Sequence, residues 1–216
     1  MKRRMLVMAL GVILALLGVA APMASAAKDL SSGGHQSLGD LTAAWWNWAA
    51  QDPSPLVGSY KGGEKCDGRF VKGVFFLAGS TTVDPVKRTC TVPDDTPILF
   101  PVVNAVCSKA FPADPRPYTE CARDIIDQAL VDSTTFARLD GQRLRIRRIA
   151  SGPFAWTIES EDNPFGVPEG TFPAASNGLW VYLAEGLPEG KHTLRFGGEF
   201  PNIDFRQEIT YKLKVG

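Results

Sequence analysis

The sequence predicts a mainly β protein: an antiparallel β-sandwich, immunoglobulin-like or jelly-roll, with two α-helices and disulfide staples. Three observations carry this. From about residue 70 onward the chain holds seven or more short, β-rich segments separated by Pro, Gly and Asp turn signals. The last of them, "FRQEITYKLKV" (205–215), sends Phe205, Ile209, Tyr211, Leu213 and Val215 to one side and Arg206, Glu208, Thr210, Lys212 and Lys214 to the other. Gln207 is the single polar residue on the inward side. Such alternation means one buried and one wet face, as in an antiparallel sandwich. Finally, four cysteines follow an export-type leader, and an even count in an oxidising compartment reads as two disulfides.

The elements follow in order. Lys2, Arg3 and Arg4 open the chain, Met5 to Ala21 is uncharged and apolar, and Ala24-Ser25-Ala26 is a small-x-small cleavage site. Residues 1–26 are therefore expected to be a secretory signal, leaving no membrane span after cleavage. Residues 27–36, "AKDLSSGGHQ", read as a flexible leader. Residues 37–216 are long enough for a single domain with a sizeable core. Ser37 and Asp40 form a capping box for a Trp-rich helix running to about Gln51, where Asp52-Pro53 stops it. At about 100° per residue, Leu41, Ala44, Trp45, Trp48 and Ala49 share a face. Trp46 lies on the flank, where a tryptophan is a rim residue or a ligand contact. Strands are expected over 71–78, 87–92 and 97–103, and a second helix over 117–131, with Tyr118, Cys121, Ile125 and Ala129 at helical spacing. Later strands are expected over 154–159, 178–184, 191–197 and 205–215.

None of Cys66, Cys90, Cys107 and Cys121 forms a CxxC pair, and two histidines are too few for the usual zinc spacings. Of the three possible disulfide pairings, the sequential one, Cys66–Cys90 and Cys107–Cys121, closes the shortest loops. Each bridge should contribute roughly 3 kcal/mol by loop entropy.

The clearest hairpin is "TTFARL" and "QRLRIRRI" around Asp140-Gly141, which is type I′ turn chemistry. A two-residue turn there sets Leu139 opposite Gln142 and Arg138 opposite Arg143. Continued, it sets Phe136 opposite Arg145 and Thr134 opposite Arg147. Arg138, Arg143, Arg145 and Arg147 then share a face with Phe136. Like charges directly opposite are destabilising, so something should offset them: carboxylates such as Glu159, Glu161 or Asp162, solvation, or an anionic ligand, whose oxygens match arginine forks.

The ordered motifs "WWNWA", "GVFFLAG", "RTCTVP", "ILFPVVNAVC", "EDNPFGVPEG", "LPEGKHTLRFGG" and "ITYKLKV" resemble those of a family of exported bacterial proteins. The resemblance spans nearly all of the mature chain and brings no activity with it. Separately, "LPEGKHTLRF" with "ITYKLKV" resembles the closing hairpin of immunoglobulin-like extracellular modules, which implies fold alone.

The expected role is non-catalytic recognition outside the cell, of a glycan or an anionic polymer, with Trp46, Phe136, Arg138, Arg143, Arg145 and Arg147 as candidate binding residues. No cofactor and no metal are expected. Equal totals of 23 cations and 23 anions lose three cations with residues 1–26, which leaves a net charge of −3. That lacks the basic footprint of general nucleic-acid binding. "ESEDNPFG" (159–166) clusters carboxylates, but as a solvated acidic turn rather than an EF-hand loop. A secreted hydrolase is the alternative, with Asp94-Asp95 or Glu159 and Glu161 as nominees. Neighbours in sequence, however, are not a pair across a cleft. There is no Gly-x-Ser-x-Gly elbow. His35 sits in the leader and His192 alternates with Leu194 and Phe196, so a triad has no base. A structural or partner-binding extracellular protein is the second alternative.

Overall fold

The structure is a computed structural model and describes residues 37–61, 66, 71, 73–111 and 116–216. The expected signal and leader lie outside the described residues. The first helix, α1 (Leu38–Ala49), starts where the capping box puts it. Asp40 N donates to Ser37 Oγ at 3.1 Å, and Ser37 N donates to Asp40 Oδ2 at 3.2 Å. The second, α2 (Tyr118–Ala129), begins directly after Pro117.

Among the described residues there are eleven strands: β1 (Tyr60–Lys61), β2 (Phe75–Phe76), β3 (Val86–Val92), β4 (Ile98–Ser108), β5 (Thr134–Leu139), β6 (Gln142–Arg143), β7 (Arg147–Ala150), β8 (Phe154–Ile158), β9 (Gly170–Leu183), β10 (Gly190–Phe200) and β11 (Phe205–Val215). They form a six-stranded sheet, β1-β3-β11-β10-β5-β6, and a five-stranded path, β2-β4-β9-β7, with β8 beside the start of β9. The order β4-β9-β7 facing β11-β10-β5-β6 is the B-E-D against G-F-C-C′ arrangement of immunoglobulin-type sandwiches, not a jelly roll. The pairing is not antiparallel throughout: β1–β3, β3–β11 and β2–β4 run parallel. Parallel neighbours need a crossover, and for β3 and β11 the strands between them serve as one.

Side chains from both sheets meet in one core. Phe100 of β4 packs on Phe196 of β10 at 4.6 Å between ring centroids, and Phe196 stacks on Tyr211 of β11. The other face of the five-stranded sheet is buried too. There α1 lays Trp45 and Trp48 against Phe76, Leu99 and Trp180, and Trp156 of β8 joins them. The sequential disulfides are present. Cys66–Cys90 joins the segment after β1 to β3, and Cys107–Cys121 fastens α2 to the end of β4. With Ile126 and Ala129 against Val103 and Phe200, α2 closes one end of the space between the sheets.

Two polar side chains inside this core have structural work. Gln207, the inward exception in β11, accepts from Ser80 N and donates to Val102 O, filling the irregularity between Pro101 and Val103 in β4. Arg88 of β3 is 1% exposed. It donates to the carbonyls of Leu56, Gly58, Ala78 and Gly79 and to Tyr211 Oη, at 2.8–3.2 Å. Its guanidinium also stacks over the Tyr60 ring at 4.8 Å. Burial pushes the Tyr60 hydroxyl up from its ordinary pKa.

Candidate functional site

The turn at Asp140-Gly141 has the positive φ at both positions that type I′ needs. It sets Arg138 opposite Arg143 and Leu139 opposite Gln142, as the sequence predicts. The register then extends that pair across the sheet. Arg138 faces Arg195 of β10, Arg195 faces Thr210 of β11, and Thr210 faces Lys87 of β3. The row Arg143, Arg138, Arg195, Thr210, Lys87 thus crosses five strands, each about 4.8 Å from the next. Residues at steps of two along each strand share this outer face. They add Lys61, Lys191, Arg206, Lys212 and Lys214, with threonines 89, 91 and 193 between them. All nine cations are exposed. Carboxylates on or beside this face include Glu199, Glu208, Asp140 and Glu189, the last directly before β10 and beside Gly216, and two of these are engaged. Glu208 pairs with Arg195 at 2.7 Å, and Asp140 is held by His192.

Two of the sequence-predicted residues, Arg145 and Arg147, sit differently. β6 ends at Arg143, so Arg145 does not pair with Phe136, nor Arg147 with Thr134. On its other edge β5 sets Phe136 opposite Gly197 and Thr134 opposite Glu199, while Arg147 faces Trp180 in the other sheet. Leu144 and Ile146 pack against the inter-sheet core, and this draws the chain across from one sheet to the other. Phe136 remains half-buried on the cationic face, while Arg145 and Arg147 are exposed at the crossing. Glu159 and Glu161 do not neutralise the arginines: Glu159 accepts from Asp52 N and Glu161 from Glu169 N. The "ESEDNPFG" turn is organised by the amide of Asn163, which bonds Ser160 O, Val167 O and Phe165 N.

His192 is tied at both ring nitrogens. Nδ1 lies 2.7 Å from Asp140 Oδ2 and Nε2 lies 3.0 Å from Pro188 O. The bond to Asp140 raises the His192 pKa from its ordinary value. The Thr193 amide, then His192, hold the Asp140 carboxyl below its ordinary range. Two acceptors around one imidazole favour the doubly protonated ring. His192 is thus a clamp on the hairpin turn.

Trp46 is 6% exposed, so it is not a rim residue or an open stacking platform. Phe165 from the loop before β9 covers the helix flank, and Trp46 lies edge-on to Trp45 and Trp156. Trp46 does line a cavity of about 390 Å³, together with Val103, Asn104, Ile126, Phe165, Phe205 and others. None of the candidate hairpin residues lines it, so Trp46 and the arginines do not converge. Trp46 Nε1 and Asn104 Nδ2 are buried without a hydrogen-bond partner among the described residues. An unmade bond of this kind costs about 1–3 kcal/mol.

Three of the cavities, all lined by described residues, hold a single carboxylate between them, Glu159. Among the described residues no group of three His, Cys, Asp or Glu is placed to hold a metal, and no helix is long and apolar enough to cross a membrane. All four cysteines are oxidised in pairs.

No protein-family model matches the chain, and no curated protein matches it. Among solved structures, it is similar at 9% identity and a TM-score of 0.21 to a chain of "Structure of PbICP-C in complex with falcipain-2", covering 74% of this chain and 100% of that one. A likeness of that size carries no argument.

Proposed function

We propose that the protein is exported and binds an anionic polymer outside the cell, without catalysis, through the outer face of the six-stranded sheet. The observation that carries this is the register-built row of Arg143, Arg138, Arg195 and Lys87 in a field of nine cations. The molecule as a whole is not basic, so its acidic groups lie elsewhere and the charge is segregated. Cations at strand spacing form a flat grid with threonine hydroxyls between them, suited to the repeated charges of an acidic polysaccharide or a teichoic-type phosphate polymer. The signal-like N-terminus and two disulfides support the extracellular setting. Trp46 stacking on sugar loses its support with the burial of that ring. The hydrolase reading finds no cross-cleft carboxylate pair in those three cavities.

The test is elution from immobilised dextran sulfate over a salt series. Replacing Arg138, Arg143 and Arg195 together with alanine should lower the salt for elution and reduce the slope of log K against log salt by about two, at roughly 0.7 per lost contact. Arg116→Ala and Arg123→Ala, on and before α2, should leave retention unchanged. Equal retention of the triple variant and the parent would end the proposal.

A further inference from the structure

We propose that Phe136 is a stacking platform for a sugar ring, so that the polymer held on the cationic face is an acidic polysaccharide; this rests on the reading of that face given above. β5 sends Ala137 into the inter-sheet core, which leaves Phe136 and Arg138 on the outer face. Phe136 belongs to none of the hydrophobic clusters that hold the fold together. Its cross-strand partner is Gly197 of β10. No side chain can stand there: the backbone has a φ of +151°, and a Cβ would run into Gln207 O. Yet Gly197 is buried, although the flanking Arg195 and Glu199 are exposed. A phenyl ring laid across the glycine opposite it accounts for both observations. One face of the ring covers Gly197, the other looks outward, and Phe136 is half-buried as a result.

The groups around the ring favour a sugar. Arg138 follows Phe136 at a step of two along β5, and Arg195 stands opposite Arg138. On the other side of Gly197 along β10 is Glu199, which makes no hydrogen bond or ion pair with the described residues. An acidic pyranose answers each of these. Its C–H face meets the negative face of the phenyl ring. Its hydroxyls donate to the Glu199 carboxylate. Its own carboxylate accepts from the Arg138 fork. A phosphate polymer without sugar rings has no face to stack and no hydroxyls to donate, and it meets Glu199 as a like charge. Phosphate alone would use the cations and leave Phe136 without a role.

The test compares affinities for polygalacturonate, polyphosphate and single-stranded poly(dT) at one salt concentration, for the parent, Phe136→Leu and Phe136→Tyr. Leucine keeps apolar cover over Gly197 and removes the flat ring; tyrosine keeps the ring. Phe136→Leu should weaken polygalacturonate about tenfold, from the loss of one buried ring face, and change polyphosphate by less than about twofold. Phe136→Tyr should stay within about twofold of the parent on both. Retained polyphosphate binding also shows that the cationic face of the variant is intact. The platform is overturned, with the cationic-face reading left standing, if Phe136→Leu weakens both polymers equally or neither. The same holds if Phe136→Tyr loses as much as Phe136→Leu, or if poly(dT) loses as much as polygalacturonate, which would make the ring a seat for bases. A parent that binds no polymer removes the cationic-face reading itself, and the platform with it.

Discussion

The two sheets share one core but differ in what lies behind them. The five-stranded sheet is covered on both faces: the inner by its partner sheet and α2, the outer by α1 and the Trp156–Phe165 region. The six-stranded sheet is covered on one face, and the other carries nine exposed cations. One sheet is scaffold and the other is display. The difference shows in burial along single strands. β4 is buried over its first six residues without a break, whereas β3 alternates strictly, buried and exposed, from end to end.

The largest effect should come from testing that division directly. Trp180 in β9 is fully buried under Trp45. Trp180→Ala should cost about 3–5 kcal/mol in urea unfolding, from lost transfer energy and the cavity left behind. Lys214→Ala on the display face should stay within about 0.5 kcal/mol. Similar costs for the two substitutions would mean that the sheets do not divide the labour in this way.

The same contrast explains what could be read from the sequence. β11 and β3 are visible as strands because one face is wet, and a period of two survives. β9 is expected over 178–184 but runs from 170, because "GTFPAASN" holds small residues and a proline and carries no alternation. β4 is expected to end at 103 and reaches 108, since a strand buried on both faces has no polar rhythm to mark its length. Of the expected strand 71–78, in which residue 72 lies outside the described residues, Phe75–Phe76 form the strand, paired with Ile98 and Leu99 of β4. For the site, the turn at 140–141 identifies Arg138 and Arg143. Arg195 and Lys87 join the row by tertiary register, which no local pattern encodes. Equal totals of 23 cations and 23 anions average over the chain and conceal the cationic face. The Trp46 cavity is assembled from α1, α2, β4, β11, three loops and the 201–203 turn, so nothing in any one segment announces it.

Arg88 sharpens the comparison because it belongs to the display sheet yet points inward. Its five hydrogen bonds hold segments 56–58 and 78–79 onto β3 and Tyr211. Arg88→Met keeps the apolar stem and takes the side-chain donor from the carbonyls of Leu56, Gly58 and Gly79, while Ala78 O and Tyr211 Oη keep their bond to each other. A cost of about 2–4 kcal/mol is expected, the lost charge-assisted bonds being partly offset by relief of the buried charge. Hydrogen exchange should rise at 56–58 and 78–80 before it rises in β9. A neutral substitution would instead make this cation a functional group stored inside the fold.

The smallest effect concerns the turn that presents Arg138 and Arg143. The folded His192 pKa is raised, so its contribution is complete below the ordinary value of 6.5 and is lost as pH climbs through the folded value. The folded Asp140 pKa is lowered, so its contribution is complete above the ordinary 3.8 and is lost as pH falls through the folded value. Together they stabilise the hairpin most between about pH 4 and 6.5. Asp140 is half in solvent, which limits the gain to about 1 kcal/mol at most. The difference in Tm between the parent and His192→Asn should therefore be widest in that window and shrink toward pH 8. A difference constant from pH 5 to 8 would mean that the ring acts there as a neutral hydrogen-bonding spacer, and that the display face holds its shape without help from charge.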